Sequence, residues 1–289
     1  MVSPRLKRIL HWAGSTLSVA GVVFVVIKLS EYSGQIDFSR FTYRHWMVLV
    51  ALTIIYATAN VFLSLAWKRL LQHFRISVRS MWAFRTYGVS QLAKYVPGNI
   101  FHLASRQSIG QAAGLPAWPL AKSAVWELCI ISVTGAMFGI LVLPYFIPAV
   151  SLFLATVTFL GVLTIVATGL GKFVGLSIAY AVGWYVLFLM VSGIIFVGLL
   201  TLLMQENSTV LLQASSLTGA FVVAWLAGLV TPGAPAGVGV REFVLMVLLK
   251  GSVFEPALLL AVLLGRFVTV GGDLLFFLIA TSITRVEVN

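Results

Sequence analysis

The sequence predicts an all-α fold, a polytopic integral membrane protein. It reads as about six full transmembrane helices plus two broken, re-entrant helical hairpins arranged as inverted repeats. Three observations carry this. Of 289 residues, 60% are hydrophobic and only 9% are Asp, Glu, Lys or Arg, against about 25% charged in soluble domains. Several apolar runs reach the roughly 20 helical residues that cross ~30 Å of hydrocarbon. Two further stretches carry Pro-Gly pairs and cations inside otherwise apolar sequence. The formal charge of +11 fits helix-flanking basic residues and attraction to anionic headgroups rather than nucleic acid. The whole chain, 1–289, reads as a single transmembrane domain with candidate repeat units at 46–143 and 175–283.

The N-terminal "MVSPRLKRILHWAG" places Arg5, Lys7 and Arg8 before an apolar run lasting to about Ile27. That run is too long for a secretory h-region, and "SVA" at Ser18 to Ala20 falls within it. Residues 9–29 are therefore expected as an uncleaved first span of the inner membrane, with the N-terminus cytoplasmic. The second span, 46–67, is bracketed by Trp46 and Trp67. At 1.5 Å per residue these indoles stand ~31 Å apart, as anchors at two interfaces would. Lys68, Arg69, Arg75 and Arg79 follow in a loop expected on the cytoplasmic side.

Residues 80–112 are too short or too polar on either side of Val96-Pro97-Gly98 to cross alone. Full spans resume at 120–143, 149–168 and 175–203. "GAMFG", Gly135 to Gly139, matches a helix-packing GxxxG. Cys129, the single cysteine, is expected only to pack. Residues 210–250 break at "TPGAPAGVG", through Pro232, Gly233, Pro235, Gly237 and Gly239. The last span is 256–283. Proline removes a backbone donor and glycine frees the chain. Broken helices persist at membrane depth only where protein or a wet cavity satisfies the released groups, so a cavity is implied.

The two breaks align: arginine follows proline by nine positions in each, Pro97 to Arg106 and Pro232 to Arg241. Each arginine falls near the start of a half-helix, whose free N–H groups and positive dipole end favour an anion. A guanidinium adds a planar fork suited to phosphate oxygens. Simple pairing with a carboxylate such as Glu242 is the competing role. Glu127 sits two turns into a span. Asp273 is central in the last one, and Arg266, seven residues earlier, shares its helical face. These carboxylates can neutralise an arginine or bind a coupling proton. His102 and Lys94 are candidates to line the cavity, and Asn99 to cap the half-helix or touch ligand. The four histidines are scattered, with no HExxH and no Cys partner, so no metal site, catalytic residue or cofactor is predicted.

"KYVPGNIFHLASR", "VWE" and "PAGVGVREF" together resemble the transmembrane region of lysylphosphatidylglycerol synthases. That region belongs to a broader family of flippase-like membrane proteins. The family pattern falls on Tyr95, Pro97, Gly98, Phe101, His102 and Arg106, then Glu127, then Pro235, Gly237, Gly239, Arg241 and Glu242. The chain departs at Ala234 and Ala236, where glycines are frequent in the family. The sequence ends at Asn289, where the synthases continue into the soluble domain that transfers lysine. The resemblance thus implies movement of a lipid between leaflets rather than transferase activity. It points to an anionic or polyprenyl-phosphate lipid, or a glycosylated one, as the partner. A glycosyltransferase or lipid-modifying enzyme is the partner on the alternative reading, a non-transporting membrane scaffold. A third reading is an intramembrane lipid enzyme using Glu127 or Asp273 with His102.

Overall fold

The computed structural model describes residues 30, 34, 41–96, 100–204, 208–231, 239–284 and 287–288. The expected span 9–29 and the expectations for Pro97, Gly98, Asn99, Pro232, Gly233, Pro235 and Gly237 lie outside the described residues. Helix α1 (Tyr43–His73) leads into a hairpin of α2 (Ser80–Gln91), a 3-10 turn (Leu92–Tyr95) and α3 (Phe101–Ala112). Helix α4 (Ala117–Met137) runs on as a 3-10 stretch (Phe138–Tyr145), followed by α5 (Leu152–Phe173) and α6 (Leu176–Leu203). After a short α7 (Ser208–Leu212), α8 (Ala214–Val230) and α9 (Val240–Leu248) form a second broken pair, and α10 (Glu255–Ser282) is the last helix. Among the described residues all regular structure is helical. Five helices, α1, α4 with its extension, α5, α6 and α10, are long and apolar enough to cross a membrane.

Side-chain contacts fix where the helix ends lie. At one end of the bundle Lys68 Nζ donates to Ser80 Oγ at 2.7 Å, Trp67 Nε1 to Ser123 Oγ at 3.2 Å, and Arg85 Nε to the Ile283 carbonyl at 3.2 Å. The end of α1, the starts of α2 and α4 and the end of α10 are therefore together there. At the opposite end Tyr145 OH donates to Gln213 Oε1 at 3.2 Å, joining the end of the α4 extension to the start of α8. The first hairpin thus enters and leaves at one end, and α8 enters from the other. Helix α8 ends at Val230, with Gly228 and Leu229 lining a cavity.

Helix α6 is apolar on every side, with buried residues from Ile178 to Leu200 on its inner side and Leu176, Tyr180, Leu187 and Ile194 exposed along the other. Helix α5 is the opposite case. Only Ala155 and Phe159 are buried in it, while Phe153, Ile165 and Phe173 are exposed. Water-facing surfaces seldom carry apolar patches beyond a few hundred Å², and such a face suits lipid. Outward hydroxyls are satisfied internally: Thr58 and Thr164 donate to the carbonyls of Ile54 and Leu160 at 2.9 and 2.8 Å.

Backbones approach closely at glycines other than the expected pair. A Cβ on Gly88 of α2 would meet Ala280 Cβ of α10 at 2.4 Å, and one on Gly219 of α8 would meet Leu141 Cβ at 2.7 Å. At Gly135 and Gly139 a Cβ would find only ordinary contacts, at 3.6 and 3.9 Å, so "GAMFG" is not a tight crossing. Trp67 also departs from expectation. It is buried and stacked on Trp82, because α1 continues to His73 and α2 folds over it. Cys129, in turn, is exposed.

Gly88→Ala is expected to lower stability by about 1–3 kcal/mol through overpacking against Ala280. Gly161→Ala, which meets nothing within 4 Å, is expected to be neutral or to stabilise by up to about 1 kcal/mol. Thermal unfolding of the two variants in detergent checks the contrast.

Candidate functional site

The two broken pairs meet at a cavity of about 100 Å³ in the middle of the bundle. Its lining includes Lys94, Tyr95, His102, Glu127, Arg241 and Asp273. A space of this size holds several waters. Of the residues expected to bind, Arg106 and Glu242 are not on this wall: Arg106 is held by Glu127, and Glu242 by Arg266 rather than by Arg106 or Arg241. Asn99 lies outside the described residues, and the position at the N-cap of α3 is Ile100, whose side chain has no oxygen to offer.

Arg106 and Glu127 form a bidentate pair, with Nη1 to Oε2 at 2.7 Å and Nη2 to Oε1 at 3.0 Å. The short connection between α3 and α4 makes these helices antiparallel neighbours, which brings the two side chains face to face. Tyr87 OH donates to the same Glu127 Oε1 at 2.9 Å. The guanidinium lies 4.3 Å from the Tyr87 ring centroid and 5.4 Å from that of Trp67, a cation–π environment. Both ions are buried. Arg106 therefore fastens α3 to α4, with its carboxylate turned to the cavity.

Asp273 is fully buried on α10 and takes three partners from the first hairpin. Lys94 Nζ is 2.7 Å from Oδ2, Tyr95 OH donates to Oδ2 at 2.5 Å, and Gln91 Nε2 donates to Oδ1 at 3.3 Å. Gln91 Nε2 also reaches Asn60 Oδ1 at 3.1 Å, and Asn60 Nδ2 donates to the Tyr56 carbonyl at 3.2 Å. This network locks the end of α2 onto the crossing of α1 and α10. The crossing itself is close, since a Cβ on Gly272 would lie 3.0 Å from the Thr53 carbonyl oxygen.

The second break is organised by Glu242. Gly239 precedes α9 with φ +85°, a left-handed conformation that glycine adopts without a Cβ clash. Its N–H donates to Glu242 Oε2 at 2.7 Å, closing the helix start as an N3 glutamate does. The other oxygen, Oε1, accepts from Arg266 Nε and Nη2 at 2.9 and 2.7 Å. Successive residues on a helix point about 100° apart, so Arg241 faces elsewhere.

Arg241 is 9% exposed and lines the cavity. Its guanidinium carbon sits 5.9 Å from the Phe221 ring centroid. Its Nε is buried without a hydrogen-bond partner, and among the described residues no carboxylate reaches it. Nδ1 of His102, on the same wall, is likewise buried without a partner. On the far side of Arg241, Arg266 and Thr269 lies a narrow apolar crevice of about 10 Å³ between α6, α8, α9 and α10, lined by Phe196, Leu199, Leu245 and Val262. Polar wall and apolar crevice thus share one boundary.

The sequence pointed to the ionisable residues here but not to Asn60, Tyr87 and Gln91, which hold them. Asn60 was the available signal, a carboxamide in the middle of an apolar run. Among the described residues no group of three or more His, Cys, Asp or Glu is placed to hold a metal ion.

Removing one partner of a buried pair leaves a charge uncompensated, at a cost of roughly 3–5 kcal/mol, whereas apolar replacement of both is often near neutral. Arg106→Met alone and Glu127→Met alone are expected to unfold well below wild type in detergent. The double variant should recover most of the loss. A double variant as unstable as either single one would refute a pairing role.

The chain matches no family model, no curated protein and no solved structure.

Proposed function

We propose that this chain moves a lipid between membrane leaflets, taking a phosphate-bearing or glycosylated headgroup into the cavity while the tails remain in apolar surroundings. The observation that carries the reading is Arg241, a buried cation without a carboxylate partner among the described residues, where a polar chamber adjoins an apolar crevice. An unpaired buried charge costs several kcal/mol, and an anionic headgroup would remove that cost. The N-terminus of α3, where His102 lies, adds N–H groups without intrahelical partners. An amphipathic ligand suits the shared boundary better than a free ion does. The motif likeness to the lysylphosphatidylglycerol synthase transmembrane region favours the same reading.

Alternating exposure of one central site is the usual task of inverted repeats, and the packing supports such an arrangement over 46–143 and 175–283. Helix α2 lies against α10, the last helix of the other unit. Helix α8 lies against the 3-10 extension of α4, again the end of the other unit. Lys68, Arg69, Arg75, Arg79 and Arg85 gather at the end where α2 enters, and the positive-inside tendency makes that end cytoplasmic. On this reading the protein resides in the inner membrane with a cytoplasmic N-terminus.

Reconstitution in liposomes with labelled phospholipids and glycolipids tests the activity. Wild type is expected to scramble at least one of them. A hydrogen bond to a charged group is worth about 1.5–3 kcal/mol, so Arg241→Gln should slow transfer about tenfold to a hundredfold. Scrambling that is absent from wild type, or unchanged in Arg241→Gln, would overturn the proposal.

Topology is tested separately. In a Cys129→Ser background, single cysteines at Arg75 and Glu287 should label from the cytoplasmic side only, and those at Phe146 and Ser252 from the opposite side only. Labelling of all four from one side would contradict two oppositely entering hairpins.

A further inference from the structure

The charges around the cavity can be counted because each carboxylate there has a visible partner. Glu127 is taken by Arg106, Asp273 by Lys94 and Glu242 by Arg266. Three anions meet three cations, and Arg241 is the fourth cation. The two breaks, residues 97–99 and 232–238, contain no ionisable side chain. His102 in its neutral form offers Nδ1 as a hydrogen-bonding atom and adds no charge. The described residues of the cavity therefore carry one positive charge beyond neutrality, in surroundings where a second uncompensated charge of either sign is costly.

We propose that the group bound at this cavity carries a single negative charge, the charge of a phosphodiester, in preference to a phosphomonoester or an uncharged sugar head. This rests on the reading of the cavity as a lipid headgroup site. A diester bears one full negative charge at neutral pH, whereas a monoester bears about −1.5 to −2. One guanidinium fork matches the two free oxygens of a diester. A monoester would leave excess negative charge unmatched unless an existing ion pair opened, and a neutral head would leave Arg241 unmatched. The apolar side chains beyond Arg241, Phe196, Leu199, Leu245 and Val262, favour a diester carried on a lipid over a soluble one.

Binding to the purified protein in detergent tests the inference without requiring transport. Four probes are compared: phosphatidylglycerol, phosphatidic acid and an uncharged glycosyl diacylglycerol with matched acyl chains, and soluble glycerophosphoglycerol. Native mass spectrometry or ligand-induced thermal shift is the readout. Phosphatidylglycerol is expected to bind about tenfold or more tightly than the other three. Arg241→Gln should abolish its advantage over the glycolipid. Asp273→Asn leaves Lys94 as a second unmatched cation, and because Lys94 is 19% exposed it can be accommodated. That variant should shift preference towards phosphatidic acid. Glu242→Gln, which releases Arg266, serves the same purpose if Asp273→Asn does not fold.

Preference of wild type for phosphatidic acid or the glycolipid, or an order unmoved by these variants, would overturn this inference while leaving a lipid site standing. Equal binding of glycerophosphoglycerol would assign the site to a soluble diester and overturn the lipid source. Binding of none of the four would overturn the lipid reading with it.

Discussion

An ionised side chain surrounded by hydrocarbon and protein must find its counter-charge within the bundle, and much of the architecture follows from meeting that demand. Each of the three internal ion pairs among the described residues joins a broken segment to a long helix. Arg106 holds α3 to α4, Lys94 holds the end of α2 to α10, and Glu242 holds the start of α9 to α10. The pairs thus act as fasteners at the points where helical hydrogen bonding stops and the backbone has least support of its own. The third also satisfies a free N–H at its helix start, through Gly239, so one carboxylate serves both a chain break and a distant arginine.

The fasteners differ in kind. Arg106 and Glu127 meet through two parallel hydrogen bonds beneath aromatic rings, a geometry that fixes orientation as well as distance. Lys94 reaches Asp273 through one atom and keeps partial exposure, so its contact is the less constrained. Charge polarity is also reversed between the halves. The returning helix of the first hairpin supplies the cation and its long partner the anion, while in the second the returning helix supplies the anion. That reversal leaves Arg241 without a carboxylate among the described residues, although its sequence counterpart, Arg106, is fully matched.

Close helix crossings complete the frame. Gly88 lets α2 approach α10, and Gly219 lets α8 approach the extension of α4. Each broken pair is thereby pressed against a helix of the other half, and Lys94, His102, Leu229 and Arg241 line one chamber. In a membrane, where apolar side chains gain little by leaving lipid, such backbone proximity and dispersion contact are what hold helices together. Outward faces like that of α5 need only be apolar.

Composition and run length by themselves determined the helical class, the five long apolar helices among the described residues and the two interrupted regions, because hydrocarbon thickness and backbone hydrogen bonding act on local sequence. They also singled out the ionisable residues, since charge is rare in such a chain. Partnership was not legible. Arg106 and Arg241 occupy equivalent places after their prolines, yet among the described residues one meets a carboxylate and the other does not. Asn60, Tyr87 and Gln91 looked like ordinary polar residues, and Trp67 looked like an interface anchor. Only tertiary packing decided these, because electrostatic pairing, burial and close crossing depend on which helices come within a few ångströms, and that is set by contacts between residues far apart in the chain.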